Sequence, residues 1–102
     1  METGRSRHTV SCTLAHAAGS AEERDFLDAA SRLGAIPGVE SFEVLGEVSP
    51  KNGFRYGISM EFASQAAYDG YNTHPDHVRF VEERWLKEVA DFLEIDYAPL
   101  GQ

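Results

Sequence analysis

The 102-residue chain has a single cysteine, Cys12. That excludes an intrachain disulfide and a cysteine-based zinc site. Positive charge is scarce: 9 Lys and Arg stand against 17 Asp and Glu, a formal net charge of −8. Such a balance repels phosphate backbones and anionic lipid, so neither nucleic acid nor a membrane surface is an expected partner. No apolar run approaches the ~20 residues of a membrane-spanning helix. Residues 1–7 are polar, with no apolar stretch behind them, unlike a secretory leader. With no disulfide framework either, the cytoplasm is the expected location. No glycine-rich phosphate loop occurs, and the sequence implies no cofactor.

What is present is the alternation and punctuation of one small domain. From His8 to Leu14, one side of an extended chain carries His8, Val10, Cys12 and Leu14, and the other Thr9, Ser11 and Thr13. Period two with β-branched residues predicts a strand. Ser20-Ala21-Glu22-Glu23 reads as a capping box, with Ser20 accepting from the position-23 N–H and Glu23 reaching back to the Ser20 N–H. The helix behind it carries Phe26, Leu27, Ala30 and Leu33 on one stripe. Gly34 suits its C-terminal cap, and Pro37-Gly38 makes a turn.

A second strand is expected over residues 39–48, with Phe42, Val44 and Val48 on one face and Gly46 as a candidate bulge. The 49–53 loop leads into the clearest strand, residues 54–62, where Phe54, Tyr56, Ile58, Met60 and Phe62 alternate with smaller or polar residues. Ser64 caps a short helix running to about Asn72. Pro75 starts another, to about Val89, with Val78, Val81, Trp85 and Val89 on a stripe. Arg79–Glu83, Glu83–Lys87 and Arg84–Glu88 are its i,i+4 charge pairs. A last strand follows over residues 92–97.

The order β-α-β-β-α-β predicts an α+β, ferredoxin-like domain over residues 8–97: a four-stranded antiparallel sheet with helices on one face. Residues 1–7 and 98–102 read as tails. The uncovered sheet face is one that a second copy would bury.

Histidines carry the candidate chemistry. His77, at the edge of the Val78–Val81–Trp85 stripe, can present an imidazole to an interior pocket and move protons near neutrality. Tyr71 offers a phenolic donor to a developing oxyanion. His8 shares its strand face with Val10 and Cys12, so it points toward the same pocket if that face meets the helices. His74 precedes Pro75 and reads as a turn or cap residue. His16 has no evident partner. His8, His74 and His77 form no recognisable metal motif, and no metal is expected. Val10, Cys12, Phe26 and Trp85 complete the expected pocket lining.

The same residues bring a family into view. His8, Ile36-Pro37-Gly38-Val39, Ser41-Phe42-Glu43, Val48-Ser49, Glu61-Phe62-Ala63-Ser64, the block from His74 to Val81 and Ile95-Asp96-Tyr97 resemble the stress-responsive A/B-barrel (Dabb) family. The resemblance spans about residues 8–97 and is most specific in His74-Pro75-Asp76-His77. It implies a homodimer in which two four-stranded sheets close into an α/β-barrel.

A minority of the family, the plant polyketide cyclases, resemble this chain at Tyr71 and His77, with His8 matching a further pocket histidine. They imply an intramolecular aldol closure with His77 as base and Tyr71 as donor. The alternatives are a dimer that binds a small apolar ligand in a pocket between sheet and helices, and a purely structural assembly protein. Strand one departs from the family pattern: it has no lysine and no phenylalanine.

Overall fold

The structure, a computed structural model, describes residues 1–101. Four strands form one antiparallel sheet: β1 Ser6–Leu14, β2 Glu40–Gly46, β3 Tyr56–Phe62 and β4 Val89–Tyr97. Their order across the sheet is β2-β3-β1-β4. Helices α1 Ala21–Ser31, α2 Gln65–Thr73 and α3 Pro75–Phe80 cover one face. A 3₁₀ turn, Arg32–Ala35, follows α1. Beyond α3 come a π turn, Val81–Trp85, and α4 Leu86–Glu88. The expected α+β, ferredoxin-like sheet is therefore the observed one.

Strand alternation builds the core. His8, Val10, Cys12 and Leu14 of β1 and Ile58, Met60 and Phe62 of β3 are all buried on the helix side. Phe26, Ala30 and Leu33 close onto them from α1 and the 3₁₀ turn. β1 opens at Ser6, two residues before the alternation becomes apolar. Arg5 and Arg7 hold that end through Glu40 and Glu61. β3 begins later than expected, at Tyr56. β4 begins earlier, at Val89, which pairs with Leu14 and so takes a residue expected in the preceding helix.

Local chemistry departs from the sequence reading in four places. Ser20 Oγ accepts from the Glu23 N–H at 3.2 Å, but the Glu23 carboxylate takes the Gly19 N–H rather than that of Ser20. The irregularity in β2 falls at Ser41, not Gly46: Ser41 has φ 49° and the register shifts between Glu40 and Glu43. The strand stops at Gly46, so Val48 lies outside it and is exposed. Of the three helix charge pairs only Arg84–Glu88 forms, at 2.5 Å, while Arg79 turns back to Asp76.

Gly34 sits inside the 3₁₀ turn and is not a left-handed cap. Its requirement is space: a Cβ there would stand 2.8 Å from Phe42 Cδ1. Gly34→Ala is expected to cost about 1–3 kcal/mol, the usual penalty for overpacking. Urea denaturation of the two proteins measures it, and a loss under 0.5 kcal/mol, the size of ordinary surface substitutions (roughly that figure), would contradict the tight contact.

Among the described residues, no helix is long and apolar enough to cross a membrane.

Candidate functional site

A cavity of about 270 Å³ lies between the sheet and the α3–α4 segment. Its floor is the helix-side face of β1, β3 and β4: His8 and Val10, Ile58, and Phe92 with Glu94. The antiparallel register sets Val10 opposite both Ile58 and Glu94, and His8 opposite Asp96. Its wall is Asn72, His77, Phe80, Val81, Trp85 and Leu86. The π turn shapes that wall. Leu86 N–H bonds Val81 O, an i→i+5 step, and both residues line the cavity. Wide turns of this kind concentrate at functional sites.

The break between α2 and α3 orients His77. His74 is extended, at φ −62° and ψ 134°, as the residue before a proline prefers. Its Nδ1 accepts from the Asp76 N–H and caps α3. Pro75 supplies the first helical residue. One turn later His77 faces the cavity, its Nδ1 3.2 Å from the Asn72 carbonyl oxygen. A carbonyl only accepts, so that nitrogen carries the proton and Nε2 keeps its lone pair. Burial lowers the His77 pKa, outweighing the opposing help of Asn72. The ring is therefore the neutral base at pH 7.

This shift has a sign that can be measured. As pH falls below about 6.5 the unfolded chain takes up a proton that folded His77 resists, so stability declines toward the lowered folded value. His77→Gln is expected to flatten the decline between pH 7 and pH 5 in paired urea titrations. An unchanged slope would place His77 in water.

His8 is built differently. Its side chain is buried, and its Nδ1 lies 2.5 Å from Asp96 Oδ1. Tyr68 donates its hydroxyl to Asp96 Oδ2 at 2.7 Å, and its ring stacks on Phe62 at 4.9 Å. Burial first, then the Asp96 bond, pushes the Tyr68 pKa far up, so it stays a donor. The carboxylate accepts from Nδ1, which again leaves Nε2 as the free ring nitrogen. Two imidazoles with uncommitted Nε2 atoms thus line one cavity.

The cavity's remaining charged lining residue is Glu94, whose side chain has no hydrogen-bond or ion-pair partner among the described residues. His8, Glu94 and Asp96 each place a donor atom within 4.8 Å of the others, the one set with metal-ligand spacing among the described residues.

Not every expected residue reaches this space. Cys12 is 1% exposed beneath the floor, its thiol pushed up to about 11 by burial. Phe26 is wholly buried and backs the wall, 5.5 Å from Phe80 and 6.3 Å from Trp85 between ring centroids. Tyr71 stands behind the lining: its ring packs 4.3 Å from His77 and 5.3 Å from Phe62. Burial pushes its pKa far up, with Glu94 adding to the shift. Tyr71, Cys12 and Phe26, expected at the pocket, are thus not among the residues that line it. Their stripes point inward, but they end one layer too deep. His16 does have a partner, Glu88 at 2.6 Å.

The profile of the stress responsive A/B barrel domain matches residues 7–99. The chain belongs to the Dabb family. A Dabb family protein from Mesorhizobium loti with a ferredoxin-like fold is 60% identical to it, with TM-score 0.93 over 96% of this chain and 99% of that one. A hydroxynitrile lyase from Passiflora edulis shares the fold at 15% identity, TM-score 0.82, over 96% and 95% of the two chains. A protein from Bacteroides fragilis described as dimeric and of unknown function matches at 19% identity, TM-score 0.70, over 94% and 97%. Among curated proteins, none matches.

Sequence reasoning gave no site role to Tyr68, Asp96, Glu94 or Asn72. Only the long-range pairing of β1 with β4 reveals Asp96 and Glu94, since it sets them beside His8 and Val10.

Proposed function

We propose that this Dabb protein is a cytoplasmic homodimer whose protomers each bind a small, largely apolar ligand in the cavity over His8 and Val10. The cavity itself carries this reading. It is small, mostly apolar, and holds a few convergent polar groups, which is the composition of ligand sites. The dimer is supported by relatives described as dimeric and by the outer sheet face, where Leu93, Ile95 and Tyr97 of β4 lie exposed beside Thr9 and Ser11.

The test is thermal unfolding with cyclohexanol, which fits the volume. Bound ligand raises the melting temperature by mass action. Val10→Phe, which fills the floor, should abolish the rise. A rise that survives Val10→Phe, or none in the parent protein, overturns the reading.

A second reading, a cyclase-like enzyme, is favoured by the two free Nε2 atoms. In it His77 Nε2 removes a proton from the carbon between two carbonyls of a β-keto chain, the carbanion closes on a further carbonyl, and the alkoxide so formed takes the proton back from His77 Nε2. Tyr71 then acts by holding the His77 ring and touches no substrate. Turnover of a β-keto substrate should fall about 100-fold or more in His77→Ala, the scale of a lost general base. Equal turnover in the parent and in His77→Ala would eliminate it.

A further inference from the structure

We propose that the ligand of this cavity is a small organic cation: a protonated primary amine on a compact apolar body, with its ammonium received by Glu94. The inference rests on the reading of the cavity as a ligand site and adds the charge of the ligand.

The cavity has an uneven electrostatic balance. Among the described residues, no lysine or arginine lines it. His8, if charged, is matched by Asp96 at 2.5 Å. His77 is held toward neutrality by burial. Glu94 is left as a carboxylate that no side chain neutralises. Its field reaches inward, adding to the upward shift of Tyr71 and opposing the downward shift of His77.

Position matters as much as sign. Glu94 is exposed and sits with Phe92 on β4, the edge strand, so it stands at the solvent-facing border of the floor. An ammonium meeting it there stays partly hydrated, avoiding the cost of full burial. The apolar body then occupies the space over Val10 and Ile58.

The lining also includes two aromatic rings. Trp85 and Phe92 meet edge-on at 5.6 Å, and both line the cavity. A cation is attracted to such rings, Trp most strongly. An anion meets the reverse: a like charge, ring faces of the wrong sign, and a protein carrying −8.

Three probes of one shape read this directly: cyclohexylammonium, cyclohexanol and cyclohexanecarboxylate, titrated calorimetrically at pH 7 and low salt. The ammonium is expected to bind about fivefold tighter than the alcohol, and the carboxylate weaker than the alcohol by a similar factor, the scale of exposed charge pairs and cation–ring contacts. Glu94→Gln should remove the ammonium's advantage and leave the alcohol within about twofold. Asp28→Asn, remote on α1, should keep all three affinities, which separates a local carboxylate from overall acidity. Added salt should shrink the ammonium's advantage.

If cyclohexanol binds and the ammonium gains nothing over it, or Glu94→Gln keeps the gain, this inference is wrong while the ligand site stands. If none of the three binds, the ligand site itself is wrong, and the inference with it.

Discussion

Ile95→Lys is expected to convert the protein from a dimer to a folded monomer. Ile95 lies on the sheet face away from the helices, 39% exposed, between Leu93 at 49% and Tyr97 at 50%. Across from it on β1 is Thr9, and Ser11 faces Leu93. The face is thus small in the middle and apolar at one side, a surface that a second copy can cover closely. In a two-fold interface each substitution counts twice. A buried, unpaired ammonium costs several kcal/mol on the scale of single ions. Sedimentation equilibrium at micromolar concentration reads the change as a drop from twice the 11.3 kDa chain mass to that mass. Far-UV circular dichroism should stay as in the parent, because Ile95 touches none of the helix-side core. A variant that remains dimeric would move the interface elsewhere. A parent protein that is already monomeric would remove the dimer.

Phe26→Ala is expected to cost about 3–5 kcal/mol, the range for deleting a buried aromatic ring. Small domains carry about 5–15 kcal/mol in all, so the variant should sit near the edge of folding at 37 °C. Phe26 is wholly buried in α1 and touches both Phe80 and Trp85, so it joins the helix layer to the cavity wall. Urea unfolding measures the loss, and the near-UV signal of Trp85 should weaken even where the variant remains folded. A loss under about 1 kcal/mol, well below that range, would contradict the place of Phe26 at the centre of the core.

These two residues show what was legible from sequence and what was not. Strand alternation placed His8, Val10 and Cys12 on one face, and the caps at Ser20, Ser64 and His74-Pro75 fell where local hydrogen bonding put them. All of these are short-range effects: side-chain period, cap chemistry and the constraint before proline. The helical stripe also said that Phe26 and Tyr71 point inward. It could not say how far. Depth depends on what packs above, and Phe80, Trp85 and His77 take the layer between those rings and the cavity.

The acidic partners were hidden for another reason. Asp96 carries part of the family resemblance but gains no site role from sequence, and Glu94 belongs to no motif. They become site residues only because β4 pairs with β1, 88 positions away in the Asp96–His8 contact. The end of the second helical stretch misled for a related reason. Val89 has helical spacing from Trp85, yet the ladder to Leu14 claims it for the sheet.

The central claim is that the space over His8 and Val10 is a ligand site. It is tested most directly by following the Trp85 indole and His77 ring signals by NMR while cyclohexanol is added. We predict saturable shifts at both residues, with a dissociation constant of about 1 mM or tighter, corresponding to about 4 kcal/mol for a ligand of this size. Trp85 and His77 signals that stay fixed up to 20-fold that concentration, roughly 20 mM, would contradict it.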